Sequence, residues 1–364
     1  SRGLGDVYKR QVLMSSWENN IRRVEPYVPG EQPKEKNIIK LNTNENPYPP
    51  SPKVSEALRE FNTDRMKLYP DPGSAVLIDA LAERYKVKPS RIFVGVGSDD
   101  VLSMAFMTFF NSDKPILFPD ITYSFYDVWA EVYRVPYKRI PLDSSFRINP
   151  SDYMNDNGGI IFPNPNAPTG VFESVSVIEE IVKANPQSVV IIDEAYIDFG
   201  GQSCLPLVDK YDNLLVVQTF SKSRSMAGMR IGFAVGNERL IKYLNDVKFS
   251  VNSYTMNHIT QICGAAAVED EEYFRVTVNK IIATREKTKA RLSELGFSFP
   301  DSMSNFIFAS HCKKPACKIF EELKSRRIFV RYWNKPEIDN YLRITIGTEN
   351  EMDYFIKALE EILL

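Results

Sequence analysis

Residues 213–236 read NLLVVQTFSKSRSMAGMRIGFAVG. The opening NLLVVQTF (213–220) and the closing IGFAVG (231–236) are continuous apolar runs rich in β-branched residues. Runs of that kind, lacking polar alternation, suit strands buried on both faces of a mainly parallel sheet. Between them lies a short polar loop that carries Lys222 and Arg230. The same kind of run recurs upstream as RIFVGV (91–96), KPILF (114–118), GGIIFP (158–163) and SVVIID (188–193). Intervening stretches such as SVSVIEEIVKAN (174–185) suit crossover helices. Residues 91–236 therefore predict an α/β unit in which strands and helices alternate.

Downstream the pattern changes. From about Tyr254 to Leu295 it is helical for several turns. Three short strand candidates follow, NFIFAS (305–310), RIFVRYW (327–333) and YLRITIG (341–347), and a helical ENEMDYFIKALEEILL ends the sequence. This predicts a smaller α+β domain. The expected division is a large domain over 45–255, a small C-terminal domain over 256–364, and an arm over 14–44 that joins the small domain. Residues 1–13, SRGLGDVYKRQVL, lack an apolar core and are expected to be a non-native leader rather than a secretory signal.

Composition narrows the class. The 364 residues are 43% apolar and 25% charged, ordinary for a globular protein. A net charge of −2 creates no global field to recruit nucleic acid or membrane. No apolar run reaches the roughly 18 residues that a membrane span needs. Cys204, Cys263, Cys312 and Cys317 match no common zinc spacing, and reduced thiols in a cytoplasmic protein are expected. There are only two histidines. If the chain is an enzyme, its proton chemistry is expected to rest on another side chain. His258 and His311 are read as structural.

The chemistry-bearing residues fall where strands end. Asn166 follows GGIIFP, Asp193 closes SVVIID, and Lys222 follows NLLVVQTF; these positions lie 27 and 29 residues apart. A βαβ unit takes about 30 residues, so all three should reach equivalent strand ends, where open α/β sheets bind ligands. An Asp, a Lys and an Asn in one crevice suit pyridoxal 5'-phosphate. That cofactor needs a lysine amine for its Schiff base, a carboxylate for its ring nitrogen, donors for its ring oxygen and an anion site for its phosphate. Tyr196 lies three residues beyond Asp193, Ser221 precedes the lysine, and Arg230 follows it closely. GVGSDD (95–100) links a strand to a helical run and offers backbone amides to a phosphate. Tyr123 ends the next strand region, placed to stack on a planar ring. Taken singly, each has a bland alternative: a solvated loop lysine, a capping aspartate, a core tyrosine, two arginines on outward strand faces. The ordered combination favours the cofactor site.

These segments resemble the fold-type-I pyridoxal-phosphate-dependent aminotransferases. LNTNENPYPPSP, LYPDPGS, GVGSDD, PDITYSFY, NPNAPTG, DEAYIDF, TFSKSRSMAGMRIG, SNFIF, VRYW and YLRITIG occur in family order across almost the whole chain. The resemblance implies that Lys222 is the covalent anchor and proton shuttle, that Asp193 faces the ring nitrogen, and that Tyr196 faces the ring oxygen. It assigns Ser98, Asp99, Ser221 and Arg230 to the cofactor phosphate and Tyr123 to ring stacking. Tyr69 would reach the phosphate held by a neighbouring subunit, which implies a homodimer. Tyr27, Asn44 and Asn305 would line the substrate side. Arg343 would bind a substrate carboxylate and Arg331 a substrate phosphate. Many relatives have Asn directly before the PTG, whereas this chain has Ala167. The ring-oxygen contact is therefore assigned to Asn166, one position earlier, with Tyr196 able to carry it alone. The branch most similar transfers an amino group from L-histidinol phosphate to 2-oxoglutarate, giving imidazole-acetol phosphate and L-glutamate in histidine biosynthesis. Threonine-phosphate decarboxylation and aromatic amino-acid transamination remain the alternatives.

Overall fold

The computed structural model describes residues 16–364, so the expected leader over 1–13 lies outside the described residues. Strand β1 (Ile39–Leu41) stands apart from the seven that follow. Those are β2 (Ile92–Gly95), β3 (Ile116–Pro119), β4 (Tyr137–Ile140), β5 (Gly159–Pro163), β6 (Val190–Asp193), β7 (Leu214–Thr219) and β8 (Gly232–Gly236). The last four are β9 (Phe297–Ser298), β10 (Phe306–His311), β11 (Ile328–Tyr332) and β12 (Leu342–Thr345).

The first sheet has the order β2-β8-β7-β6-β5-β3-β4. Its pairs are parallel except those of β8, which runs antiparallel to both β2 and β7. Every residue of β5, β6, β7 and β8 is buried, as the unbroken apolar runs predict. The strand side chains alternate between two cores. Val190, Ile192, Leu214 and Val216 pack on one face, and Ile191, Leu215 and Val217 on the other. Helices cover both faces, and a mixed α/β fold with a mainly parallel sheet results. Strand β4 was not foreseen. Its sequence YKRI is polar in the middle, because it is an edge strand with only Ile140 fully buried.

The second sheet has the order β1-β11-β12-β10-β9. It contains the three strands expected there and adds β1 and β9, which are too short to show a period. Strand β1 pairs in parallel with β11, so the segment before residue 45 reaches this sheet. A third apolar core joins this sheet to the helices Glu271–Glu294, Ala316–Ser325 and Glu349–Leu363. The last of these starts in a capping box between Thr348 and Glu351, which satisfies two otherwise orphaned amides. Ala167 and Tyr196 come from the first sheet's loops yet pack in this core, so the cleft side chains tie the two sheets together.

Candidate active site

The cleft forms at the carboxyl ends of the parallel strands. Asp193 is the last residue of β6, and Lys222 lies just past β7. Because β8 is antiparallel, the residue that precedes it arrives at the same edge, which brings Arg230 beside the loop that carries Lys222. The expected spacing of Asn166, Asp193 and Lys222 therefore converges on one edge.

Lys222 is half-buried, and its Nζ donates to Thr43 O at 3.1 Å. Burial, aided by the nearby Arg343 guanidinium, depresses its pKa to about 8. Asn46 Nδ2 donates to Lys222 O at 3.0 Å and to Ser223 O at 3.2 Å, which fixes the backbone under the lysine. Asp193 is fully enclosed, and burial lifts its carboxyl pKa to about 7 against two hydrogen bonds that favour the charge. Those come from Tyr126 Oη at 3.1 Å and Ala195 N at 3.2 Å. No cation pairs with it among the described residues.

The hydroxyl of Tyr196 accepts from Asn44 Nδ2 at 2.9 Å, which leaves its own proton free to donate. Asn44 also accepts from Thr345 Oγ1 at 3.0 Å, and Asn305 Nδ2 donates to Asn44 O at 3.0 Å. Both asparagines are thus built into the wall that aims Tyr196, and Asn305 Oδ1 is left buried without a partner. Tyr27 stacks on Phe125 with ring centroids 4.2 Å apart.

Asn166 needs a correction. Its Nδ2 donates to Ile121 O at 2.9 Å and to Thr169 Oγ1 at 3.0 Å, and its Oδ1 accepts from Thr122 at 3.1 Å. Both amide hydrogens are committed to holding the loop, so no donor is free for a ring oxygen. The one-residue offset from Ala167 turned this side chain into a loop brace.

The helix Ser98–Phe109 begins at Gly97 without a side-chain cap, so its first amides face the cleft edge. Gly97 has φ +89°, and a Cβ there would stand 2.5 Å from Arg230 Nη2. A Cβ on Gly232 would collide with Ser98 N. The two glycines let the guanidinium, the helix start and β8 close on one small cradle. Arg230 Nη2 contacts Asp99 Oδ2 at 3.1 Å, and Tyr123 Oη donates to Asp99 Oδ1 at 2.8 Å. The Asp99 side chain therefore braces Arg230 and Tyr123, and what it offers an anion is its backbone amide. Ser221 is buried against Thr219, with 3.1 Å between their hydroxyl oxygens.

On the second sheet, Arg331 of β11 stands opposite Arg343 of β12. Arg343 Nη2 donates to Asn42 O at 2.8 Å, and its Nε is buried without a partner. Tyr69 lies away from this cleft, 79% exposed and stacked on Tyr254 at 4.6 Å. The two histidines bond to backbone: His258 to Leu68 O, and His311 to Leu295 O and the Lys314 amide. Tyr126, Asn46, Thr43 and Trp333 were not singled out from sequence. Tyr126 sits within PDITYSFY and was hidden by its core-like surroundings.

A family profile for aminotransferase class I and II matches residues 36–359, so the chain belongs to that family and is an aminotransferase of it. Among curated relatives, the histidinol-phosphate aminotransferase of Lactococcus lactis subsp. cremoris is 51% identical over 96% of this chain and 98% of its own length. Histidinol-phosphate aminotransferase 1 of Hydrogenovibrio crunogenus is 53% identical over 95% of this chain and 98% of its own. Two solved structures share the fold. The histidinol-phosphate aminotransferase from Clostridium acetobutylicum superposes with a TM-score of 0.83 at 22% identity, covering 90% of this chain and 99% of that one. The enzyme from Sinorhizobium meliloti in complex with pyridoxal-5'-phosphate gives 0.81 at 23%, covering 89% and 90%.

Proposed function

We propose that this aminotransferase moves the amino group of L-histidinol phosphate to 2-oxoglutarate, giving imidazole-acetol phosphate and L-glutamate, with pyridoxal 5'-phosphate as cofactor. The names of relatives at 51% and 53% identity over nearly the full chain support the substrate. The observation that carries the chemistry is a half-buried lysine, depressed to about 8, on the same strand-end edge as a buried carboxyl group that has no cation among the described residues.

The residues fit this cofactor. A protonated ring nitrogen would supply the cation that Asp193 lacks. The Gly97–Gly232 cradle, with Arg230 on one side and uncapped helix amides on the other, suits a phosphate dianion. When bound, the cofactor supplies an electron sink for removal of the substrate's carbon-bound proton.

The protein's part is positioning and proton handling. Lys222 Nζ would hold the cofactor, and its amine would carry the proton between the two reacting carbons. A pKa near 8 keeps a working share of the amine neutral near pH 7, where an ordinary lysine would have almost none. Asp193 holds the ring nitrogen in its protonated form, with Tyr126 and the Ala195 amide fixing the carboxylate. Tyr196 directs its hydroxyl proton at the ring oxygen, and Tyr123 stacks on the ring. Ser98, Ser221, Arg230 and the Asp99 amide hold the cofactor phosphate. Arg343 takes the carboxylate of glutamate, Arg331 takes the phosphate of the amine donor, and Tyr27 closes the substrate side.

The reading includes a homodimer, in which Tyr69 reaches the neighbouring subunit's cofactor phosphate. Its high exposure beside exposed Met66, Leu68 and Tyr254 supports that role. A cytoplasmic location goes with a biosynthetic reaction on small polar metabolites. The pairing of β1 with β11 supports counting the 14–44 arm with the smaller C-terminal unit and 45–255 as the larger one. Reduction of the loaded protein with borohydride should fix the cofactor on the peptide that contains Lys222. Protein that takes up no cofactor, or that fixes it at another lysine, would overturn the assignment.

A further inference from the structure

Two guanidinium groups converge here, and neither has an acidic side chain as ion-pair partner among the described residues. Arg331 and Arg343 face each other across β11 and β12, an arrangement that is repulsive for like charges. Among the described residues their printed hydrogen bonds go to backbone carbonyls. Arg343 reaches Asn42 O at 2.8 Å, and Arg331 reaches Val28 O and Pro29 O at 3.4 and 3.5 Å. Arg343 is half-buried with its Nε enclosed, and the charge of Arg331 helps to lower its pKa. Some other group must offset the repulsion.

That group is an indole. The Arg331 guanidinium lies 5.3 Å from the centre of the Trp333 ring, and that of Arg343 lies 5.2 Å from the same ring. Arg343 has a further aromatic neighbour in Phe306 at 5.4 Å. A ring face attracts a cation through its quadrupole, and a guanidinium can also stack on it. One ring therefore serves both arginines, and it leaves most of their N–H donors free.

We propose that Trp333 is the positioning residue of the substrate-phosphate site, holding Arg331 and Arg343 converged so that one phosphate dianion engages both. This rests on the function proposed above and adds the source of its preference for a phosphate-bearing donor. A carboxylate presents two oxygens in one plane, which a single bidentate guanidinium matches. A phosphate monoester has three terminal oxygens in tetrahedral array and can take donors from two. Without the indole the two side chains separate, and the second contact is lost first.

The test uses cofactor-loaded wild type, Trp333→Leu and Trp333→Phe, checked for equal cofactor absorbance. Calorimetric titration with inorganic phosphate should give a dissociation constant roughly tenfold higher in Trp333→Leu and largely restored in Trp333→Phe. The KM for L-histidinol phosphate should rise in parallel, with the KM for glutamate changed by less than about threefold. Phosphate affinity equal to wild type in Trp333→Leu would overturn the proposal, as would an equal rise in both KM values. A wild type that binds phosphate with this dependence on Trp333, yet does not use histidinol phosphate, would overturn the substrate and leave the anion site standing.

Discussion

Tyr126 donates its hydroxyl proton to Asp193 Oδ2 across 3.1 Å, in a pocket where both residues are buried. It is the only side-chain hydrogen bond that this carboxyl group receives among the described residues, and it works against the burial that raises the pKa to about 7. Removing it pushes the pKa higher and weakens the carboxylate as a partner for a ring N–H. A hydrogen bond to a charged group is worth about 1.5–3 kcal/mol. Tyr126→Phe should therefore bind pyridoxal phosphate roughly tenfold or more weakly, as measured by equilibrium dialysis. Unchanged affinity would show that the backbone amide of Ala195 suffices.

The amine of Lys222 sets a pH dependence. Its neutral form grows as pH rises through about 8, not through the usual lysine range. The rate at which cofactor-free protein captures pyridoxal phosphate should rise with the same midpoint. After burial, the next cause of the lowering is the positive charge of Arg343. Arg343→Gln removes that charge, so the midpoint should move upward. A downward shift or none would contradict the electrostatic account.

Gly232 has no room for a methyl group, because a Cβ would meet the backbone of Gly97 and Ser98. A backbone atom cannot swing away as a flexible side chain can. Overpacking costs about 1–3 kcal/mol, and here it would also push the helix start off the phosphate cradle. Gly232→Ala should lower the thermal midpoint and lose cofactor on dialysis. Gly228, which has open space around it, is the control, and Gly228→Ala should do neither.

Arg331 should separate the two half-reactions, because Arg343 serves both substrates. Arg331→Ala should raise the KM for L-histidinol phosphate by one to two decades, since a charge-assisted contact of about 1.5–3 kcal/mol is lost. The KM for glutamate should change far less. Equal losses for both substrates would contradict the assignment of Arg331 to phosphate.

Much of this was legible in the sequence for a physical reason. Strands buried on both faces must be continuously apolar, so β5, β6, β7 and β8 announce themselves, and their spacing carries Asp193 and Lys222 to one edge. Short or edge elements leave no such signal. Strand β9 has two residues and β1 three, and β4 exposes its middle, so tertiary pairing alone defines them. The site residues divide in a similar way. Lys222, Asp193 and Arg230 could be singled out because a charge at a strand end needs an explanation. Tyr126 and Trp333 could not, since an aromatic beside a core reads as core until its partner is seen. Asn166 shows the limit of reasoning by position. Adjacent residues of a loop point in different directions, and which amide is free depends on Thr122, Ile121 and Thr169, which no local pattern predicts.

The central claim is that a phosphate-bearing amine is the amino donor of this aminotransferase. The most direct measurement is glutamate formation from 2-oxoglutarate by the loaded enzyme, with L-histidinol phosphate, L-phenylalanine and L-threonine phosphate compared as donors at equal concentration. The account predicts the highest kcat/KM with L-histidinol phosphate and loss of turnover in Lys222→Ala. Preference for phenylalanine, or carbon dioxide released from threonine phosphate without need for a keto acid, would contradict it.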